Sequence, residues 1–209
     1  MEIALPARFE DLTLGQYIAI KTQNDPVKVL AVVSGMAEVS VRKLPSKVFD
    51  RAIEHIGTLC DTEVAKHQKV INLNGTDYGF IPDWSEFTTG EWIDMENHSK
   101  DMYTNADKIM ALLYRKITRR FGDVYEIEPY TAKEDPAPFR EAKAELYAGV
   151  LLFFSTTKKM WLNSTIQSLA MTGEMGMVFL KNGGGTTFFT RWQARMFYVW
   201  KQLRNFQLK

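Results

Sequence analysis

The chain has 209 residues, 45% of them apolar and 24% charged, and carries a formal net charge of +1. That length supports one domain with a sizeable core or two small ones, and the near-neutral balance excludes global steering toward nucleic acid or membrane. A single cysteine, Cys60, excludes an internal disulfide framework and fits a reducing compartment.

The opening "MEIALPARFED" does not read as a signal peptide, because an acid and a proline interrupt a short apolar run. A soluble intracellular protein is expected, a class that includes viral proteins made inside a host. The first predicted helix starts at "LTLGQYIAI". Thr13 stands as its N-cap and Gln16 three residues on, the spacing at which each side chain bonds the other's backbone N–H. Leu12 and Tyr17 can close a hydrophobic staple over that turn.

The same grammar returns at "FTTGEWIDME", where Thr88 is the cap, Glu91 the returning acceptor, and Phe87 with Trp92 the staple. Each copy also carries a glycine in the first turn, Gly15 and Gly90, where a poor helix former needs a reason. Close approach of a neighbouring element is the expected one. The echo continues from "KVLAVV" to "KIMALL", with Asp25-Pro26 as a helix start for the first and Thr104 or Asn105 for the second. Two related capped helix-turn-helix units are therefore predicted, from an old duplication or a reused hairpin, with coincidence as the bland alternative.

Between the units, Val48, Ala52, Ile53, Ile56, Leu59 and Cys60 keep helical spacing. "KVINLNGTDYGFI" then reads as a β-hairpin turned at Asn74-Gly75, with Tyr78 and Phe80 on one face. A helix is expected from about Lys108 to Phe121, then a proline-bearing loop, "GDVYEIEPYTAKEDPAP", as the best internal boundary. Asp135-Pro136 opens a long predicted helix running to about Met171, with Gly149 a bend. Its run "YAGVLLFFS" is too short to cross a bilayer and reads as buried. After a "KNGGGTT" connection, a last helix is expected from Thr187 to Phe206. The fold class is thus mainly α with one small hairpin. Residues 1–122 form helical units around that hairpin, and 123–209 form a C-terminal helical part packed on them as one compact domain.

No constellation rises to an active site, and no metal or cofactor is implied. His55 and Cys60 share a predicted helix, but a surface histidine and a buried cysteine are the commoner reading. Asp94 and Glu96 point to different helix faces, and a solvated helix end is expected of the Asp94, Glu96 and Asp101 cluster. "NGGGTT" lacks the lysine and spacing of a phosphate loop and reads as a hinge. "RKITRR" suits the C-terminus of a helix, where positive charge is favourable. The C-terminal helix has an apolar face of Phe189, Trp192, Met196, Trp200 and Leu203, with basic flanks and no acid from Thr186 onward. Core packing is its ordinary fate, and partner binding is the functional reading.

Together "LTLGQYI", "TTGEWIDMEN", "DKIMALLYRKI" and "AELYAGVLLFFSTTKK" resemble a group of small proteins encoded among the tail genes of tailed bacteriophages, described as tail assembly chaperones or tail assembly proteins. The likeness spans roughly residues 9–162 and involves no catalytic motif. It implies a helical, non-enzymatic protein in the host cytoplasm that binds the tape-measure protein before tube subunits polymerise. The aromatic C-terminal segment departs from a pure chaperone. A structural virion component, a connector or an internal head or tail protein, is the alternative. A nucleic-acid-binding factor is less favoured, no membrane partner is expected, and self-association is compatible with either main reading.

Overall fold

The computed structural model describes residues 3–61, 65, 67–83 and 87–156. Helices α1 (Leu14–Thr22) and α2 (Pro26–Ser34) form the first pair, followed by the short α3 (Glu38–Val41) and the amphipathic α4 (Ser46–Asp61). Strands β1 (Val70–Leu73) and β2 (Thr76–Phe80) come next, then α5 (Thr89–His98) and α6 (Ala106–Leu113). Strands β3 (Tyr114–Phe121) and β4 (Val124–Ile127), the short α7 (Ala137–Arg140) and α8 (144–156) complete the described order.

Both capped units form as their local chemistry dictates. Asp25 caps α2 by accepting from the N–H of Val27, and Pro26 takes the first helical position, where no N–H is required. Gly35 ends α2 in the left-handed conformation. Asn105 precedes α6 without a capping bond to its N-terminus. The amphipathic α4 turns Ala52, Ile56 and Leu59 inward, as its spacing requires.

The fold class needs correction. The molecule is mixed α/β, mostly helical but built on a four-stranded antiparallel sheet in the order β1-β2-β3-β4. The first hairpin is where the sequence placed it: Asn74 and Gly75 both have positive φ, and Ile71 pairs with Tyr78. The second was read as helix and loop. The helix of "KIMALL" ends at Leu113, and the "YRKITRRF" that follows is a strand. Its Tyr114 pairs with Phe80 and its Lys116 with Tyr78, so a helix here would have left β2 an open edge beside the core. Gly122, at φ 61°, closes the turn to β4. Positive charge at "RKITRR" is therefore not a helix C-terminus effect.

Tyr125 of β4 lies over Gly79, where a Cβ would stand 2.4 Å from its Cε2. Its hydroxyl donates to Phe80 O at 2.7 Å and is 3.0 Å from Lys69 O, fastening the second hairpin across the first. Only glycine leaves that space.

The predicted long helix after Asp135 is also interrupted. It breaks between α7 and α8, where Leu14 N–H donates to Ala142 O and Ala144 N–H to Leu12 O. Those bonds tie residues 142–144 to the start of α1, and a continuous helix would have kept the same groups for itself. The part of that helix beyond residue 156 lies outside the described residues. One face of the apolar run is buried: Tyr147, Val150 and Phe154 have no exposed surface and the Tyr147 hydroxyl donates to Met102 O at 2.7 Å, whereas Leu152 is exposed. One core cluster draws on both helix pairs, the sheet and α8. Among the described residues, no helix is long and apolar enough to cross a membrane.

Candidate functional site

The two capping boxes are complete. Thr13 N–H donates to Gln16 Oε1 at 2.9 Å and Gln16 N–H to Thr13 Oγ1 at 3.2 Å. Thr88 N–H donates to Glu91 Oε2 at 2.6 Å and Glu91 N–H to Thr88 Oγ1 at 3.3 Å. The staple residues are buried, and the Phe87 and Trp92 rings meet edge to face at 4.8 Å.

The glycine of each first turn admits a neighbour, as the sequence led us to expect. A Cβ at Gly15 would stand 3.3 Å from the carbonyl oxygen of Arg140, and one at Gly90 would stand 2.7 Å from the Tyr130 ring. Both neighbours belong to the single stretch from Glu128 to Lys143. This stretch leaves β4, lays Tyr130 on the cap of α5, and reaches the cap of α1, where Thr13 and Lys143 form an isolated bridge. It acts as a strap joining the two units. The Tyr130 hydroxyl donates a short hydrogen bond to Asp94, which pushes the phenol up to about 12. The Arg140 guanidinium donates to the buried Asp107 of α6 at 2.7 Å.

Under and beside the strap lies the most charged part of the interior. Glu91, whose Oε2 serves the cap, accepts from the Arg115 guanidinium at Oε1 at 2.8 Å. The side chains of the pair are only 3% and 12% exposed. Such a pair offsets its own desolvation only when further hydrogen bonds complete it, and here the cap of α5 supplies one. The Nε–H of Arg115 is buried with no partner among the described residues. Two cavities share Arg115, Glu128 and Pro129. The smaller, about 250 Å³, lies by the cap of α5 and includes Phe87, Thr88, Ile127 and Tyr130. The larger, about 530 Å³, lies between the strap and the start of β3, with Tyr78, Ala111, Tyr114 and Phe139 as its apolar lining. Its remaining charge is Lys116, Lys133, Glu134 and Asp135. That size is in the range of ligand pockets.

The residues singled out from sequence fare differently. Thr13, Gln16, Thr88 and Glu91 hold as caps, and Glu91 proves also to be one half of the buried ion pair. Phe189, Trp192, Met196, Trp200 and Leu203 lie outside the described residues, as does the "NGGGTT" segment. His55 does not engage Cys60 in any hydrogen bond given by its ring Nε2, which sits 2.8 Å from Pro6 O. Asp94 is occupied by Tyr130 rather than by another carboxylate. The Lys133, Tyr130 and Arg115 side chains were missed. The signal for Tyr130 was Gly90 itself, since a glycine in a capped first turn announces a covering group without naming it. No such signal marks Arg115, because Tyr114, Ile117 and Phe121 recur at helical steps of three and four in "YRKITRRF".

Two histidines are held toward the neutral form. His67 is lowered by burial and then by Lys69, and its ring packs 4.5 Å from Phe80 and 4.7 Å from Phe153. His98 is lowered mainly by burial. Neither lines the two cavities. Among the described residues no group of three or more His, Cys, Asp or Glu side chains is placed to hold a metal ion. What the strap region offers is a shaped, charged recess suited to binding. Comparison with protein-family models, with curated proteins and with solved structures found no match to this chain.

Proposed function

We propose that this protein is a non-enzymatic factor of bacteriophage tail morphogenesis that binds the tape-measure protein during tail assembly. The observation that carries the proposal is the set of segments resembling tail assembly proteins. "LTLGQYI" and "TTGEWIDMEN" supply the two capped starts, and "DKIMALLYRKI" supplies α6 and the start of β3. The likeness thus rests on residues that build the body of the molecule rather than on one surface motif. A recess with an apolar lining and charged rim, on a scaffold fixed by two caps and a strap, supports a binding role.

The test is co-expression with the tape-measure protein encoded beside it. The expected result is that the tape-measure protein becomes soluble and copurifies, and that mass spectrometry of purified virions lacks this chain. Stoichiometric presence in virions would replace the proposal with a structural role in the particle. Failure to copurify or to improve solubility would end the chaperone reading.

A further inference from the structure

We infer that Asn74 is a site of spontaneous covalent modification, conversion to aspartate or isoaspartate, and that Asn72 holds the reaction back in the folded molecule. The reaction consumes only water. The peptide nitrogen of Gly75 loses its proton to solvent base and attacks the side-chain carbonyl carbon of Asn74. A nitrogen–carbon bond forms, the bond from that carbon to Nδ2 breaks, and the leaving nitrogen takes up a proton and departs as ammonia. Water then opens the five-membered imide at either of its carbonyls. One opening gives aspartate on the ordinary main chain. The other gives isoaspartate, in which the main chain runs through the side-chain carbon.

Asn74 is the susceptible residue because the next residue is a glycine, with no side chain to shield its nitrogen, and because both are exposed to water and base. The fold opposes the reaction in two ways. Asn74 at φ 51° and Gly75 at φ 81° form the left-handed pair of a two-residue hairpin turn, with Leu73 and Thr76 paired on either side. Ring closure must swing the Gly75 peptide about the Cα–C bond of Asn74, which such a turn does not permit while that pair is held. In addition, the Gly75 N–H donates to Asn72 Oδ1 at 3.2 Å, so the proton that must leave is held on an acceptor. Asn72 is fixed in turn. Its Nδ2 donates to Asp77 Oδ1 at 2.6 Å, and Arg120 of β3 pairs with Asp77 at 3.8 Å. A carboxylate only accepts, so it commits the amide nitrogen of Asn72 and leaves the amide oxygen for Gly75. The two products differ in consequence. Aspartate suits the same turn as asparagine. Isoaspartate adds a methylene to the main chain of a turn that sets the β1–β2 register, and that register carries Tyr78 and Phe80 into the core.

The test is peptide mapping by mass spectrometry of the full chain held in mildly alkaline buffer, folded and in guanidinium chloride. Asn182-Gly183, the other Asn-Gly pair of the chain, is the reference under denaturant, where the two pairs should convert at similar rates. In the folded protein Asn74 should convert at least about tenfold more slowly than in denaturant, because the turn must first open. Asn72→Ala should speed conversion in the folded protein about fivefold, the rate equivalent of one hydrogen bond, with circular dichroism unchanged because Asn72 is exposed. Asn72→Asp combined with Asp77→Asn exchanges donor and acceptor between the two side chains and keeps an acceptor on the Gly75 N–H, so it should restore slow conversion. That rescue separates a specific hold on Gly75 from a general loosening of the hairpin. Equal rates at Asn74 in folded and denatured protein, no conversion at Asn74 in denaturant, indifference to Asn72→Ala, or failure of the exchanged pair to slow the reaction each overturns the inference. Chains carrying isoaspartate should melt earlier than the Asn74→Asp variant, and equal melting would overturn the consequence drawn for the turn.

Discussion

The two capped units begin with the same local device and attach it to different things. In the first, Gln16 closes the box and its amide nitrogen then donates to Val33 O at 3.0 Å, tying the start of α1 to the end of α2. In the second, Glu91 closes the box and its other oxygen holds Arg115, tying α5 to the sheet. A neutral amide has a donor to spare and reaches a carbonyl. A carboxylate has only acceptors and must find a donor, here a guanidinium. One position in the box therefore decides whether the helix is anchored to its partner helix or to a strand. The covering groups differ in the same way: a backbone carbonyl over Gly15, a phenol ring over Gly90.

The largest test of that contrast is at the third helical position. Glu91→Ala should destabilise the protein by about 3–5 kcal/mol, because it strands a buried guanidinium as well as opening the cap. Gln16→Ala should cost only about 1–2 kcal/mol, the worth of neutral hydrogen bonds in a partly buried site. Urea denaturation of both variants checks this, and equal costs would erase the distinction drawn here. The glycines come next. Gly90→Ala should cost about 1–2 kcal/mol through overpacking against Tyr130. In a Tyr130→Ala background the same change should instead stabilise by about 0.5 kcal/mol, because only the better helix propensity of alanine is left. Gly15→Ala needs a shift of only a few tenths of an ångström from Arg140 and should be nearly neutral.

Where the units are alike, their responses should match. Thr13→Ala and Thr88→Ala should each lose about 1 kcal/mol, the typical worth of such a cap. A difference of more than twofold between them would mean that the cap hydroxyls do more than serve their first turns. The smallest effect belongs to the strap. The Tyr130 phenol is raised from its ordinary value of 10.0 to about 12 by its bond to Asp94. Its contribution should be intact below the unfolded value and fade as pH climbs through the folded one. Burial also raises Tyr114, Tyr125 and Tyr147, so tyrosinate absorbance should show several late-titrating tyrosines, of which Asp94→Asn returns one toward 10. The absence of any shift on Asp94→Asn would detach the strap from α5.

Much of this was legible in the chain because it is local. Thr and Gln or Glu three residues apart, Asp before Pro, and Asn before Gly each act within a few residues through hydrogen bonds or φ preferences that the residues carry with them. That "YAGVLLFFS" would turn one face inward followed from its apolar content and its length, too short to cross a bilayer, although Leu152 stays exposed. The second hairpin was not legible. "KIMALLYRKITRR" keeps enough apolar spacing to read as one helix, and short runs of that kind are ambiguous by periodicity. The cavity was hidden for the same reason, since two of its borders, Lys116 and Tyr114, belong to the misread strand and a third, Lys133, to what was read only as loop.

The sequence by itself determined where helices begin, where the first hairpin turns, and that both first turns had to be approached closely by something. The tertiary structure decided what approaches them and what the segment after Leu113 becomes. Tyr114 leaves the helix because Phe80 and Tyr78 present a strand edge that needs a partner. Glu91 is charged to good effect only because Arg115 arrives from that strand. The helix after Asp135 breaks because its backbone groups bond the start of α1, more than a hundred residues earlier in the chain. Propensity and capping are properties of neighbours in sequence, whereas strand pairing, ion pairing in the interior and the path of the strap exist only between residues that folding brings together.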